Sequence, residues 1–133
     1  MTIASEILTP AALIAFEKRV ADAFRERRIH APIHLSRNNE QQLIDIFKNI
    51  REQDWVCTTW RSHYHALLKG VPPDELFTEI LAGRSMYLND ASHRIIASSI
   101  MGGILPIAVG LAMGIKWKGL DERVWVFVGD MAG

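Results

Sequence analysis

Asp130 is the residue whose position most clearly suggests a chemical role, because only Gly129 separates it from the continuous apolar run Val124–Val128. Such a run is typical of a strand that is buried on both faces of a parallel sheet. The carboxyl ends of parallel strands border the crevice in which α/β proteins bind their ligands. One carboxylate at that place, together with phosphate oxygens, is a common way of holding Mg²⁺. An aspartate that caps a turn or a helix would follow a strand in the same way, so both interpretations stay open.

A second group with possible chemistry is formed by Trp60, Arg61 and His63, which follow the short aromatic and β-branched segment Trp55–Thr59. That segment predicts a strand. An arginine next to an aromatic side chain at a strand-to-helix junction is suited to binding a phosphate oxygen, and a solvent-exposed pair is the alternative. The remaining histidines share no regular spacing and therefore predict no metal cluster: His30, His34, His65 and His93.

The composition argues against several classes of function. At 133 residues the chain is one domain at most. Basic and acidic side chains both number 15, and this zero net charge argues against a nucleic-acid-binding surface and against attraction to a membrane surface. Cys57 is the single cysteine, so we expect neither a disulfide framework nor a cysteine-based zinc site. Residues 1–10 lack the features of a secretory signal, and we expect a cytoplasmic protein without nucleic-acid or membrane partners.

Amphipathic helices are predicted for much of the first two thirds of the chain. Thr9 is a suitable N-cap, and apolar side chains recur with a helical period from Pro10 to about Arg28. Asn38 is predicted to cap a second helix over Asn39–Ile50. A third helix, Asp74–Ala82, follows a pair of prolines. These helices supply the apolar faces against which buried strands would pack.

The segment Ile95–Ile115 contains no charged side chain. It is long enough to span a bilayer, and Gly110 and Gly114 have the spacing of a membrane-helix dimer face. Pro106 and the small residues before it interrupt the segment near its start, which favours a buried helix in a globular fold. A polar turn and the run Val124–Val128 follow, and this order predicts α/β architecture. A small membrane-anchored protein is the less favoured alternative.

Taken in order, the motifs resemble the first part of the alpha subunit of thiamine-diphosphate-dependent 2-oxo-acid dehydrogenases, the family of pyruvate, branched-chain 2-oxo-acid and acetoin dehydrogenases. The resemblance covers about residues 12–133. Four stretches carry it: His34-Leu35-Ser36 followed by Asn39-Glu40, Asp54 through His63, Met101-Gly102-Gly103-Ile104-Leu105-Pro106-Ile107-Ala108-Val109-Gly110, and Val128-Gly129-Asp130. The third stretch is similar to the family's Val-Gly-x-x-x-Pro-x-Ala-x-Gly pattern. The fourth lies where the family's Gly-Asp-Gly opens its cofactor motif.

This resemblance implies a binding site for thiamine diphosphate and Mg²⁺. Trp60 and Arg61 would face the diphosphate, and Ser99 and Met101 would lie along the aminopyrimidine. His63 is the candidate catalytic residue. Asp130 would bind the metal. The diphosphate loop would comprise four consecutive residues: Gly129, Asp130, Met131 and Ala132.

The resemblance also implies an activity, partners and a fold. The activity would be oxidative decarboxylation of a 2-oxo acid, with transfer of the acyl group to a lipoyl arm. The partners would be a beta subunit, in an α2β2 heterotetramer, and a lipoyl-bearing acyltransferase. The fold would be a predominantly helical α/β thiamine-diphosphate-binding fold with one or two strands, ending after its first core strand. Residues 1–30 would form an N-terminal helical arm, and residues 31–133 would begin the cofactor-binding domain.

Several residues depart from the family pattern. Trp60 replaces a tyrosine, and Met131 replaces a glycine. Tyr87 stands where the family has the histidine of its Ser-Met-His motif. The asparagine that supplies the second magnesium ligand would lie beyond Gly133. We therefore expect the isolated chain to be catalytically inactive, and a non-catalytic interaction or scaffold fragment of the same fold is the alternative.

Overall fold

The computed structural model describes residues 8–130 and contains helices on both sides of a small sheet. Its α-helices are α1 (Pro10–Arg25), α2 (Glu40–Phe47), α3 (His63–Leu68), α4 (Pro73–Leu81) and α5 (Ile104–Trp117). A single-turn 3₁₀-helix covers Ser85–Tyr87. The strands are β1 (Trp55–Thr58), β2 (Ile95–Ala97) and β3 (Val124–Val126).

The three strands form a parallel sheet in the order β2-β1-β3. In its register, Val56 lies opposite Ile95 on one side and opposite Trp125 on the other. Because all strands run in the same direction, their carboxyl ends meet at one edge of the sheet. The expectation of one or two strands was wrong, because β1, β2 and β3 are all present.

The two faces of the sheet are covered by different helices, as α/β architecture requires. Val56 packs in a large apolar core together with residues of α1–α4. Cys57, the next residue along β1, points to the opposite face and packs against Ile104 and Ala108 of α5. The predicted α/β class is therefore confirmed, with helices as the predominant element.

Helix α1 begins as the sequence predicts. The Thr9 hydroxyl accepts a hydrogen bond from the backbone N–H of Ala12 at 3.2 Å, which satisfies one of the free amides of the first turn. The helix ends at Arg25, three residues before the predicted end at Arg28, because Arg27 has a left-handed backbone with φ 59°.

Helix α2 differs from its prediction at both ends. Asn38 does not cap it: Asn38 has a φ of 61°, a left-handed conformation that asparagine tolerates better than most residues. Asn39 occupies the N-cap position instead, and the helix covers Glu40–Phe47 instead of continuing to Ile50.

The uncharged segment Ile95–Ile115 divides into two elements. Its first residues form β2, which the sequence did not reveal, and its remainder forms most of α5. Among residues 8–130, no helix combines the length and the apolar character that crossing a membrane requires. The outer face of α5 is apolar and exposed, with Trp117 reaching 91% exposure. The strand predicted at Val124–Val128 ends earlier, at Val126.

Asp54 joins the amino-terminal ends of β1 and β3. Its carboxylate has no solvent exposure and accepts hydrogen bonds from the Arg51 guanidinium, the backbone N–H of Arg123 (2.9 Å) and the Trp125 indole (3.2 Å). Burial by itself would raise the pKa of Asp54, but these hydrogen bonds outweigh it and hold the pKa at about 2. A charged side chain therefore stabilises the edge of the sheet opposite to the strands' carboxyl ends.

Candidate functional site

A cleft with a volume of about 340 Å³ opens at the carboxyl-terminal edge of the sheet. It brings together segments that follow all three strands. Five of the residues predicted to bind the cofactor line it: Trp60, Arg61, Met101, Gly129 and Asp130. A larger hollow of about 500 Å³ lies beside α4, but the ligand-binding edge of a parallel sheet is where its strands end. We therefore take the 340 Å³ cleft as the candidate site.

The Arg61 side chain is the cationic group of the cleft. It is exposed, and within residues 8–130 it makes neither an ion pair nor a hydrogen bond. Its neighbour Trp60 is half-buried and contacts the His34 ring edge-to-face, with 6.0 Å between the ring centroids. The Trp60 indole is positioned by its contact with His34, and the N–H groups of the neighbouring Arg61 guanidinium make no hydrogen bond within residues 8–130. This pair is suited to binding an anionic group.

Asp130 is the single carboxylate among the residues that line the cleft. It is exposed and follows Val128-Gly129 after the end of β3. In the part of the chain that the structure describes, no three His, Cys, Asp or Glu side chains are arranged to hold a metal ion. A Mg²⁺ ion that takes its other oxygen ligands from phosphate and water fits this donor set, because Mg²⁺ usually uses one or two carboxylates. Met131 and Ala132, which were predicted to continue the loop, lie outside the described residues.

Aromatic side chains contribute to the lining of the cleft, among them those of His65 and Phe127. The His65 ring lies 4.4 Å from the ring of Phe127 and 6.1 Å from that of Phe47, measured between centroids. Its Nδ1 is 2.8 Å from the Thr58 hydroxyl. Burial, and to a smaller extent the neighbouring His63, lowers the pKa of His65 to about 4, so the imidazole is neutral at pH 7.

One wall of the cleft comes from the segment that leads into α2. Ser36 and Asn39 line this wall. The backbone N–H of Ser36 donates a 2.8 Å hydrogen bond to Oε2 of Glu17, a buried carboxylate on α1. This bond fixes the wall to the helical layer. The Oδ1 of Asn39 is buried and has no hydrogen-bond partner among the described residues.

Two of the predicted site residues do not line the cleft. His63 is fully buried in the helical layer, where its Nε2 lies 2.7 Å from Ser85 Oγ and its Nδ1 lies 3.5 Å from Glu17 Oε1. Ser99 is exposed and lies outside the lining. A catalytic role for His63 and a cofactor contact for Ser99 stay predictions.

The family model for the dehydrogenase E1 component matches residues 10–133. The chain belongs to this family. It is 30% identical over 127 residues to the alpha subunit of acetoin:2,6-dichlorophenolindophenol oxidoreductase from Cupriavidus necator, a match that covers 88% of this chain and 38% of the relative. It is 28% identical over 107 residues to the alpha subunit of the pyruvate dehydrogenase E1 component from Porphyra purpurea, covering 73% of this chain and 31% of the relative. The matches therefore span about a third of the length of these relatives.

Several residues that line this cleft are not predicted from the sequence. Thr59 could have been found, because it directly follows β1 beside Trp60 and Arg61. Asn39 and His65 belong to α2 and α3, and their position at the cleft depends on how those helices pack over the sheet. A signal for His65 is its offset of two residues from His63, since residues two apart on a helix face different sides.

Proposed function

We propose that the chain forms part of the thiamine diphosphate site in the alpha subunit of a 2-oxo-acid dehydrogenase. The observation that carries this proposal is the meeting of Arg61 and Asp130 in one cleft at the carboxyl-terminal edge of a parallel sheet. A cation for phosphate oxygens and a carboxylate for Mg²⁺ are the two groups that a metal-bound diphosphate needs. Family membership supports the same assignment.

Each group of the cleft has a distinct task in this proposal. Arg61 binds phosphate oxygens, and Asp130 supplies an oxygen ligand to Mg²⁺. The neutral aromatic side chains of His65 and Phe127 exclude water, which strengthens the electrostatic contacts beside them. Bound in the cleft, thiamine diphosphate would supply a nucleophilic carbon for the keto group of a 2-oxo acid and an electron acceptor for the charge left by the loss of carbon dioxide.

We also propose the partners and the location that go with this activity. Relatives of the chain are named as alpha subunits, one of an acetoin oxidoreductase and one of the pyruvate dehydrogenase E1 component, which supports a beta subunit as the partner in an α2β2 assembly. A lipoyl-bearing acyltransferase would receive the acyl group. A cytoplasmic location is consistent with the single, buried Cys57, whose pKa is raised to about 11 by burial.

Calorimetric titration tests the cofactor site directly. Thiamine diphosphate is titrated into the purified chain with Mg²⁺, and again with a chelator in place of the metal. We expect binding that depends on Mg²⁺, and about tenfold or greater weakening in both Arg61→Ala and Asp130→Asn, since each loses a contact to a charged group. Equal affinity with and without Mg²⁺, or wild-type affinity in both variants, would contradict the proposal.

We further propose that the isolated chain does not turn over a 2-oxo acid. His65 is the one histidine among the described residues that line the cleft, and its pKa of about 4 leaves it neutral and unsuited to donating a proton at pH 7. Carbon dioxide release from pyruvate is measured with thiamine diphosphate and Mg²⁺ present. Turnover above the level of the cofactor alone would refute this part of the proposal.

A further inference from the structure

Asn39 occupies the N-cap position of α2 without performing the usual task of a cap. An asparagine at this position normally accepts a hydrogen bond from an amide of the first helical turn and thereby stabilises the helix. Asn39 makes no such bond, and its backbone has φ −122° and ψ 13°, outside the extended region that caps normally adopt. The first-turn amides of α2 therefore receive no bond from this side chain.

The same side chain carries a second unfavourable feature. Its Oδ1 is buried and accepts no hydrogen bond among the residues that the structure describes. A buried acceptor without a donor lowers stability, because the group has given up its bonds to water. Asn39 lines the cleft, together with Arg61 and Asp130. An amide that neither caps its helix nor pairs with the protein, and that borders a cleft, is arranged for a ligand rather than for the fold.

We propose that Asn39 is a ligand-binding residue whose Oδ1 accepts a hydrogen bond from an N–H donor of the molecule bound in the cleft. This inference rests on the proposed function, which supplies two candidate molecules. A 2-oxo acid anion offers only acceptors, whereas thiamine diphosphate carries an exocyclic amine. The donor is therefore the cofactor's amino group, and Asn39 contributes to cofactor affinity rather than to recognition of the substrate.

Asn39→Ser separates this role from a structural one. Serine is as good an N-cap as asparagine, and its shorter side chain removes the buried amide. We expect the ligand-free variant to unfold at the same temperature as the wild-type chain or at a higher one. With Mg²⁺ present, its affinity for thiamine diphosphate is expected to fall about fivefold, the effect of one neutral hydrogen bond. Asn49→Ser is the matched control, because Asn49 is exposed and bonds only to backbone carbonyls of α2.

Oxythiamine diphosphate, in which an oxygen replaces the amino group, shows which part of the cofactor Asn39 contacts. The wild-type chain is expected to prefer thiamine diphosphate over this analogue, and Asn39→Ser is expected to lose about fivefold of that preference. An unchanged preference in Asn39→Ser, or a lower unfolding temperature of the ligand-free variant, would overturn the inference. If the wild-type chain binds neither compound, the proposed function fails. The unfolding temperature of the ligand-free variant then decides the inference: a temperature equal to or above that of wild type supports a ligand contact of another kind, and a lower one overturns the inference.

Discussion

The imidazole Nε2 of His63 lies 2.7 Å from the hydroxyl Oγ of Ser85, and neither side chain has any solvent exposure. This contact joins the first residue of α3 to the first residue of the 3₁₀-helix. On its other side, the imidazole faces the buried Glu17 carboxylate at 3.5 Å. His63 therefore links three elements of the helical layer.

Ser85→Ala is expected to lower the free energy of unfolding by about 1–3 kcal/mol, because it leaves His63 Nε2 without a partner in the core. Denaturant unfolding at neutral pH measures the effect. Ser99→Ala is the matched control, since Ser99 is exposed, and its stability should stay within about 0.5 kcal/mol of wild type. A Ser85→Ala chain as stable as the control would show that the contact contributes nothing.

His65 is expected to make the fold sensitive to mild acid. Its pKa is about 4 in the folded chain against 6.5 for an unperturbed histidine, so the unfolded chain binds the proton more tightly between these values. The stability is thus fully present above about pH 6.5 and falls as the pH approaches 4, by about 3 kcal/mol in total. Denaturant unfolding at a series of pH values measures this slope.

His65→Phe tests the assignment of that slope. Phenylalanine keeps the aromatic contacts with Phe47 and Phe127 but cannot titrate. It also leaves the Thr58 hydroxyl unpartnered, so we expect a loss of about 1 kcal/mol at neutral pH together with a flatter dependence between pH 4 and 6.5. His30→Phe changes an exposed histidine and should keep the wild-type slope. An equally steep slope in His65→Phe would assign the acid sensitivity to another group.

Asp54→Asn is expected to remove a second pH-dependent contribution to the free energy of unfolding, which titrates at a lower pH than the contribution of His65. The folded pKa of Asp54 is about 2, below its ordinary value of 3.8, so its contribution is complete above about pH 4 and is lost as the pH falls through 2. The shift corresponds to about 2 kcal/mol. The variant should therefore be less stable than wild type at neutral pH and close to it near pH 2. A constant difference over this pH range would rule out the titration as its cause.

Arg61→Lys tests whether the cleft recognises the planar fork of a guanidinium or only a positive charge. Lysine keeps the charge but loses paired donation to two phosphate oxygens, so we expect thiamine diphosphate to bind about five- to tenfold more weakly. Arg27→Lys, at the exposed end of α1, is the control. Wild-type affinity in Arg61→Lys would indicate that charge alone is used.

Much of the fold follows from local patterns in the sequence. The Thr9 cap, the strand Trp55–Thr58 and the helix ending before Gly83 all depend on nearby residues and match their predictions. β2 could not be found in this way, because Ile95–Ala97 is short and continues into a longer apolar segment. Its strand conformation is determined by pairing with β1, which is distant in sequence.

The candidate site was predictable where it follows the strands and not where it depends on packing. Arg61 and Asp130 could be placed at one edge because parallel strands end together. The offset of His65 from His63 predicts that the two side chains face different sides of α3, but neither this offset nor the position of Asn39 tells which side meets the cleft. His63 shows the opposite case: it adjoins the predicted site in sequence, but the turn of α3 directs it into the core.

The hydrogen bond from the Arg123 backbone to Asp54 closes a loop of 69 residues, and this has a consequence for folding during synthesis. While the ribosome still covers β3, Asp54 lacks two of its donors, the Arg123 amide and the Trp125 indole. The helical layer of α1–α4 can then collapse, but a buried carboxylate with too few donors opposes closure of the sheet. The sheet is therefore expected to form only after residues 121–125 have emerged from the ribosome. The hydrogen bonds to the Asp54 carboxylate then form late in the folding of the chain.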